Sequence, residues 1–295
     1  MVAYYSGYTD IHATDYQKLS EEWDNLDAAI HVMASESLWQ TLFRINQNLN
    51  QAWFAQGFFD RAQRAYQLAY QGALELADDA QIAENLFRQG LAATELGQLN
   101  EARAFFEKAL ILFEEQGDAV SVSDVQYEFA RLYLDQGDFE LAKQALTESF
   151  QVKSLLSDQR GLAQVKYRQA RLHQTLSDYQ VASKLAYEAV RIQENLGEVL
   201  DLIRTLRILV WIHSYSQEFQ QAQDCAIRAL RLAKELNDRG EIASALYSLA
   251  EAERRNQNYE KALSLARESL VLLEQMGDVR SQGAVILLVT IIYRN

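Results

Sequence analysis

Tyr127 and Arg131 return forty residues later as Tyr167 and Arg171, with Arg168 directly after the second tyrosine. The same interval then brings Arg207 and Trp211, preceded by Arg204, and one interval further Tyr247, followed by Arg254. Residues four apart lie on one face of an α-helix, so each pair shares a face. Guanidinium groups make planar, bidentate contacts with carboxylate or phosphate, while Tyr and Trp offer flat apolar surface with a polar edge. The chemistry of such a stripe is recognition of an extended ligand with acidic groups. The chain as a whole is acidic, with net charge −13 and pI near 4.8. An arginine stripe would therefore hold a local field opposite in sign to the whole.

Other candidate chemistries fail on their spacing. His173 and His213 are also forty apart, but no third metal ligand accompanies them. The matching positions carry Ala93, Tyr133, Glu253 and Tyr293. A closed zinc site takes four ligands, so these are read as packing histidines and no metal is expected. Cys225 falls where the other repeats place Ala65, Phe105, Ala145, Leu185 and Leu265. It is read as a small buried hydrophobe. Carboxylates fall at helix starts and on solvent faces, and no Ser-His-Asp or Cys-His grouping emerges, so the reading is non-catalytic and without cofactor. The acidic balance argues against unaided binding to nucleic acid or anionic lipid. No apolar stretch approaches the ~20 residues of a membrane span, and the first 30 residues lack a signal-peptide pattern. A soluble cytoplasmic protein is expected.

The stripe needs helices to carry it, and a strict repeat supplies them. A turn residue, an aromatic or Leu two later and Ala three after that read Gly57-Phe59-Ala62, Gly97-Leu99-Ala102 and Gly137-Phe139-Ala142. The pattern continues as Ser177-Tyr179-Ala182, Gln217-Phe219-Ala222 and Gln257-Tyr259-Ala262. Between these points Asp78, Asp118, Asp158, Asp238 and Asp278 hold a second fixed place, with Glu198 substituting once. An Asp there can cap the next helix. Each 40-residue unit thus divides into a helix A and a helix B, with 119–136 and 139–156 the clearest pair. Pro is absent and Gly numbers only 12, which leaves the helices uninterrupted. Small residues at mid-helix A (Gly90, Ala130, Ala170, Ala250, with Val210 the exception) let the partners approach closely.

A small residue mid-helix A, Gly seven later, an aromatic two beyond and Ala opening helix B resemble the tetratricopeptide repeat. The period of 40 and the missing terminal Pro are similar to the long-helix variety of kinesin light chains, Leu-Gly-Asn repeat proteins and bacterial sensor domains. The resemblance spans residues 38–295. It implies an all-α, right-handed superhelical solenoid of about six helix-turn-helix repeats, with helix A lining a concave groove. Tyr127, Arg131, Tyr167, Arg168, Arg171, Arg204, Arg207, Trp211, Tyr247 and Arg254 then become the expected ligand-binding residues. Adjacent repeats would set Tyr127 beside Tyr167 and Arg131 beside Arg171.

The ends stand apart. In residues 1–37, Asp15 to Met33 reads as a capping helix with Leu19, Trp23, Leu26, Ala29, Ile30 and Met33 on one face. Its stretch from Glu22 to Ile30 resembles the E-x-x-N-L-x-x-A-L helix that opens the repeat region of bacterial signal-transduction ATPases with numerous domains (STAND proteins). That resemblance implies a sensor region serving a nucleotide-binding effector module, in the same or another chain. No phosphate-binding Gly-x-x-x-x-Gly-Lys loop occurs, and no Gly precedes a Lys, so the ATPase is not within these residues. A free-standing adaptor and a peptide-pheromone receptor are the alternative readings. At the other end, Ser281 to Asn295 takes a helix A place without a helix B. Its run from Val285 to Ile292 is apolar all round, which implies cover by further repeats or by self-association.

Overall fold

The computed structural model describes residues 2–276 and 278–294, which excludes Met1, Gly277 and Asn295. The described residues form fifteen helices and no strand. Two precede the repeats, α1 (Val2–His12) and α2 (Tyr16–Ser35). Three hairpins follow: α3 (Trp39–Gln56) with α4 (Phe59–Leu76), α5 (Asp79–Glu95) with α6 (Leu99–Gln116), and α7 (Ala119–Gln136) with α8 (Phe139–Leu155). Three more are α9 (Gln159–Thr175) with α10 (Tyr179–Leu196), α11 (Val199–Tyr215) with α12 (Phe219–Glu235), and α13 (Arg239–Arg255) with α14 (Tyr259–Met276). The last helix, α15 (Val279–Tyr293), is unpaired. The chain divides into two compact units, Met1–Val152 and Lys153–Asn295, with the division inside α8.

The turns show a shorter period than the side chains do. A residue of positive φ recurs every twenty positions, at Ser37, Gly57, Ala77, Gly97, Gly117, Gly137, Ser157, Ser177, Gly197, Gln217, Asn237 and Gln257. Each closes the helix before it in a left-handed cap, as where Phe58 N–H reaches Trp53 C=O at 2.8 Å. A side chain in this region costs about 1–2 kcal/mol, so the geometry is imposed by packing where Gln or Ala stands in it. The expected aspartates cap the next helix: Asp78 accepts from Gln81 N–H at 3.0 Å, Asp118 from Ser121 at 3.1 Å and Asp158 from Gly161 at 2.9 Å. Asp238 and Asp278 do the same. Glu198 makes no such bond and instead pairs with Arg160 at 3.2 Å.

Small residues set the hairpin spacing. Ala62, Ala102, Ala142, Ala182, Ala222 and Ala262 are all fully buried. In unit 1, Gly90 is glycine for a steric reason, since a Cβ would lie 2.5 Å from the Phe106 ring. Around the first hairpin Leu19, Trp23, Leu42 and Trp53 form one core, and in unit 2 Ile203, Leu206, Leu209 and Ala226 form another. Trp23 caps the first repeat, donating to Gln56 Oε1 at 2.9 Å and meeting the Phe58 ring edge-on.

Three features depart from the reading of the sequence. Helix α1 was not anticipated, because Gly7, Thr9 and three tyrosines give no apolar stripe. Tertiary contacts hold it, through Tyr5 Oη donating to Glu22 at 2.7 Å and Asn48 donating to Asp10 at 2.8 Å. The apolar run of α15 is half used: Val285, Leu288 and Ile292 are buried, while Ile286 and Leu287 remain exposed. Third, the end of helix A is tied to its own turn. His173 Nδ1 lies 3.1 Å from Asp178, His213 Nδ1 lies 2.5 Å from Glu218, and Asn258 donates to Glu253 at 2.8 Å.

Glu253 illustrates the cost of such a lock. Its side chain is 1% exposed, and burial alone would raise its pKa. Hydrogen bonds from Lys261, Asn258 and Gln223 overcome that and hold it below the ordinary carboxylate range. A lowered folded pKa stabilises above the unfolded value and loses that contribution as pH falls through the folded one. Glu253→Gln should therefore be less stable than the parent at pH 7, with the gap closing once the pH falls below about 4. Urea midpoints across that range check this, and a gap independent of pH would refute it.

Candidate functional site

The helix A faces of unit 2 bring together five of the residues singled out by spacing. Tyr167 and Arg171 of α9 and Arg204, Arg207 and Trp211 of α11 line one depression of about 330 Å³, with Gln174 and Ile208. A second depression shares Arg171, Gln174 and Trp211 and adds Tyr179 and Tyr215. The aromatic rings are continuous. Tyr179 stacks on Tyr215 at 5.8 Å, Tyr215 on Trp211 at 6.3 Å, and Trp211 meets Tyr247 of α13 at 6.1 Å. Burial, followed by the Glu251 carboxylate, raises the Tyr247 pKa, so its hydroxyl remains a donor at neutral pH.

The charges are arranged differently from the expected open arginine stripe. Arg204 and Arg207 both reach Glu241 of α13, at 3.3 and 3.0 Å, and Arg204 also lies 3.6 Å from Asp201. Arg254 pairs with Glu251 at 2.6 Å, as does Arg255 at 2.8 Å. Arg168 is a correction of another kind. It is 7% exposed and belongs to the buried face of α9, so it does not line the depression. Arg171 is exposed. In unit 1, Tyr127 and Arg131 lie on α7, both half-buried, and Arg131 pairs with Glu95 of α5 at 2.6 Å. The ion pairs confine the positive field of the unit 2 groove to Arg171.

Several participants were missed. Glu241 and Glu95 lie 37, 34 and 36 residues from their arginines, which is one repeat less one or two helical turns. That offset is the signal of neighbouring helix A partners. Tyr215 follows Trp211 by four, and Arg255 sets its guanidinium 3.7 Å over the Tyr215 ring, a cation–π contact. Tyr179, the aromatic of its repeat's turn pattern, also lines the second depression.

His213 and Cys225 belong to packing on the opposite side of α11. His213 is buried between Glu218 and Tyr187, whose hydroxyl lies 2.9 Å from Nε2. Burial pushes the Cys225 thiol up to about 11, far from thiolate chemistry at neutral pH. Among the described residues no His, Cys, Asp and Glu grouping suits a metal ion, and no helix is long and apolar enough to cross a membrane.

Tandem helical hairpins with capped, twenty-residue steps define a repeat protein of all-α solenoid class. The tetratricopeptide repeat sequence profiles match residues 81–155 and again residues 209–275. These two stretches are tetratricopeptide repeats, and the same helical hairpins continue on either side of them. Solved structures agree at the level of fold. BtubC (BKLC) from P. vanneervenii is 19% identical with a TM-score of 0.56, covering 81% of this chain and 93% of its own. A Rap protein complexed with competence and sporulation factor is 16% identical, with a TM-score of 0.67 and coverage of 90% and 79%. A STAND protein with a tetratricopeptide repeat sensor, from Pyrococcus horikoshii, is 14% identical with a TM-score of 0.59. It is matched over 91% of this chain but only 43% of its own length. No curated protein matches the sequence.

Proposed function

We propose that the chain is a non-catalytic recognition module that takes a peptide or protein segment, with a carboxylate set against Arg171 and an apolar side chain against the Trp211–Tyr215 surface. The observation that carries this reading is the pair of depressions sharing Arg171 and Trp211. An exposed arginine beside stacked rings offers one bidentate anion contact and a flat apolar platform, the combination enriched in binding hot spots. The fold likeness to a Rap protein complexed with competence and sporulation factor supports ligand binding as the role of such an array.

Within that class the module is the sensor region of a STAND-type regulator. The Glu22–Ile30 pattern supports this, as does the fold likeness to a STAND protein whose sensor is a tetratricopeptide array. Ligand binding there would shift an effector module between two states by its differential affinity for them. A phosphate-binding loop in the same reading frame or a neighbouring gene favours the sensor over a free-standing adaptor or a pheromone receptor.

The test is peptide capture from native lysate by the parent, Arg171→Ala and Arg131→Ala chains, read by mass spectrometry. The parent should enrich acidic segments or free carboxy-termini, with recovery falling about tenfold in Arg171→Ala for the loss of one charge-assisted contact. Arg131→Ala, whose guanidinium is already held by Glu95, should change recovery little. Equal capture by all three chains, with unchanged circular dichroism, would remove Arg171 from the site.

A further inference from the structure

The two helices that precede the repeats carry a patch that the arginine stripe and the unit 2 groove leave unexplained. Residues 1–37 hold seven carboxylates against one lysine, a net −6 of the chain's −13. Four of those carboxylates are matched. Asp24 and Asp27 pair with Arg61 at 2.9 and 2.5 Å, and Asp15 lies 3.7 Å from Lys18. Asp10 lies 3.9 Å from Arg44, an α3 residue that also lines a carboxamide-rich recess of unit 1. Glu21 and Glu22 have no ion-pair partner among the described residues. Glu22 instead accepts from Tyr5 Oη at 2.7 Å and from Asn25 at 2.8 Å.

Beside these carboxylates stands a row of rings. Tyr4, Tyr8 and His12 are spaced by four and share one face of α1. Tyr4 stacks on Tyr8 at 5.9 Å, Tyr8 meets His12 at 4.6 Å, and Tyr5 meets Tyr4 edge-on at 5.0 Å. Tyr8 Oη donates to Lys18 C=O at 3.0 Å, which fixes the row against α2. Tyr4 is 62% exposed, and Tyr8 and His12 are half-buried. Burial first, and then the charges of Glu22, Tyr4, Glu21 and Asp15, raise the Tyr8 pKa, so the carboxylates act within electrostatic reach of its ring. Nothing overhangs the adjacent Gly7, where an added Cβ would meet no atom within 4 Å.

An aromatic face attracts cations, and a guanidinium can lie flat on it while its edge N–H groups reach a carboxylate. Anionic lipid and nucleic acid are repelled by the same field. A metal ion needs converging ligands, and among the described residues no such grouping occurs. We infer that the α1–α2 surface docks an arginine-rich segment of a partner protein, with guanidinium groups stacked on Tyr4 and Tyr8 and paired with Glu21 or Glu22. The inference is independent of the unit 2 groove, whose Arg171 takes a ligand of the opposite charge.

The experiment uses the full chain, isotopically labelled, and an acetylated, amidated hexapeptide of alternating Arg and Ser. Nuclear magnetic resonance follows the ring signals of Tyr4, Tyr8 and His12 on titration, at low and at about 0.5 M salt. The expected result is saturable shifts there, weakened by salt, with the Trp211 indole signal unmoved. The same peptide built on Lys should bind about threefold more weakly for want of flat stacking, and the one built on Glu should leave the rings unshifted. The Tyr4→Ala/Glu21→Gln chain, altered only at exposed positions, should bind the Arg peptide about tenfold more weakly. Tyr4→Phe keeps the ring face and should retain most of the affinity. No shift with the Arg peptide overturns the inference, as does equal binding by the double variant with unchanged circular dichroism. Equal shifts with the Glu peptide overturn it too. Ring shifts that arise on raising the protein concentration alone would give the patch to a second copy of the chain and also overturn it.

Discussion

Replacing Phe106 with Ala should destabilise unit 1 by about 3–5 kcal/mol, the range for deleting a fully buried aromatic ring. The ring is 0% exposed and stands between Phe87 of α5 and Phe129 of α7, at centroid distances of 5.7 and 5.9 Å. It fills the space that Gly90 leaves, so its removal opens a cavity along a helix contact with no side chain to collapse into it. The complementary change separates packing from propensity. Gly90→Ala gains about 1 kcal/mol in helix propensity, yet its new methyl would overlap the ring at 2.5 Å. Overpacking costs typically about 1–3 kcal/mol, so the net effect should be a loss. Phe106→Leu in the Gly90→Ala background should recover part of it. Urea unfolding gives the totals, and hydrogen exchange should show protection lost first in α5, α6 and α7, because a repeat depends mainly on its neighbours. Uniform loss along the whole chain would contradict this account, as would a stabilised Gly90→Ala.

Trp211→Ala should weaken ligand binding more than any single arginine change, by about thirtyfold, which corresponds to about 2 kcal/mol for a hot-spot aromatic. The indole lines both depressions and touches the rings on either side, Tyr215 and Tyr247, so removing it interrupts the whole apolar row. Glu241→Gln should act in the opposite direction. That carboxylate holds both Arg204 and Arg207, and its neutralisation would free Arg207 and leave Arg204 only its Asp201 contact, which turns positive charge towards an acidic ligand. Affinity for an acidic peptide captured by the parent should rise, and its dependence on salt should steepen. The pair of variants, titrated with one captured peptide, gives results of opposite sign if the groove is the site. Two neutral results would place the ligand elsewhere on the molecule.

The opposed signs expected of Trp211 and Glu241 reflect how much of this site the sequence exposes. Trp211, Tyr167 and Arg171 share a periodic face, and a face needs only local helix geometry to predict. The same local argument located α7 at 119–136 and its partner from 139, against observed bounds of Ala119–Gln136 and Phe139–Leu155. It located the capping aspartates as well, since a cap acts within one turn. Arg168 failed for the converse reason. It lies one residue from the stripe, and whether such a position faces groove or core depends on how neighbouring helices rotate against α9. The unit 1 recess was also hidden, because Asn and Gln scattered over three helices form no motif until those helices pack.

The forty-residue rhythm, the turn residues and the small side chains are sufficient by themselves to specify paired helices and their stacking, because backbone capping and close helix approach are short-range requirements that one repeat states in full. Which arginines of the stripe face solvent without a carboxylate partner is decided largely between repeats. Glu95 and Glu241 each reach an arginine of the neighbouring helix A at one or two helical turns' displacement, and Coulomb attraction at about 3 Å depends on that displacement, which only the packed structure sets.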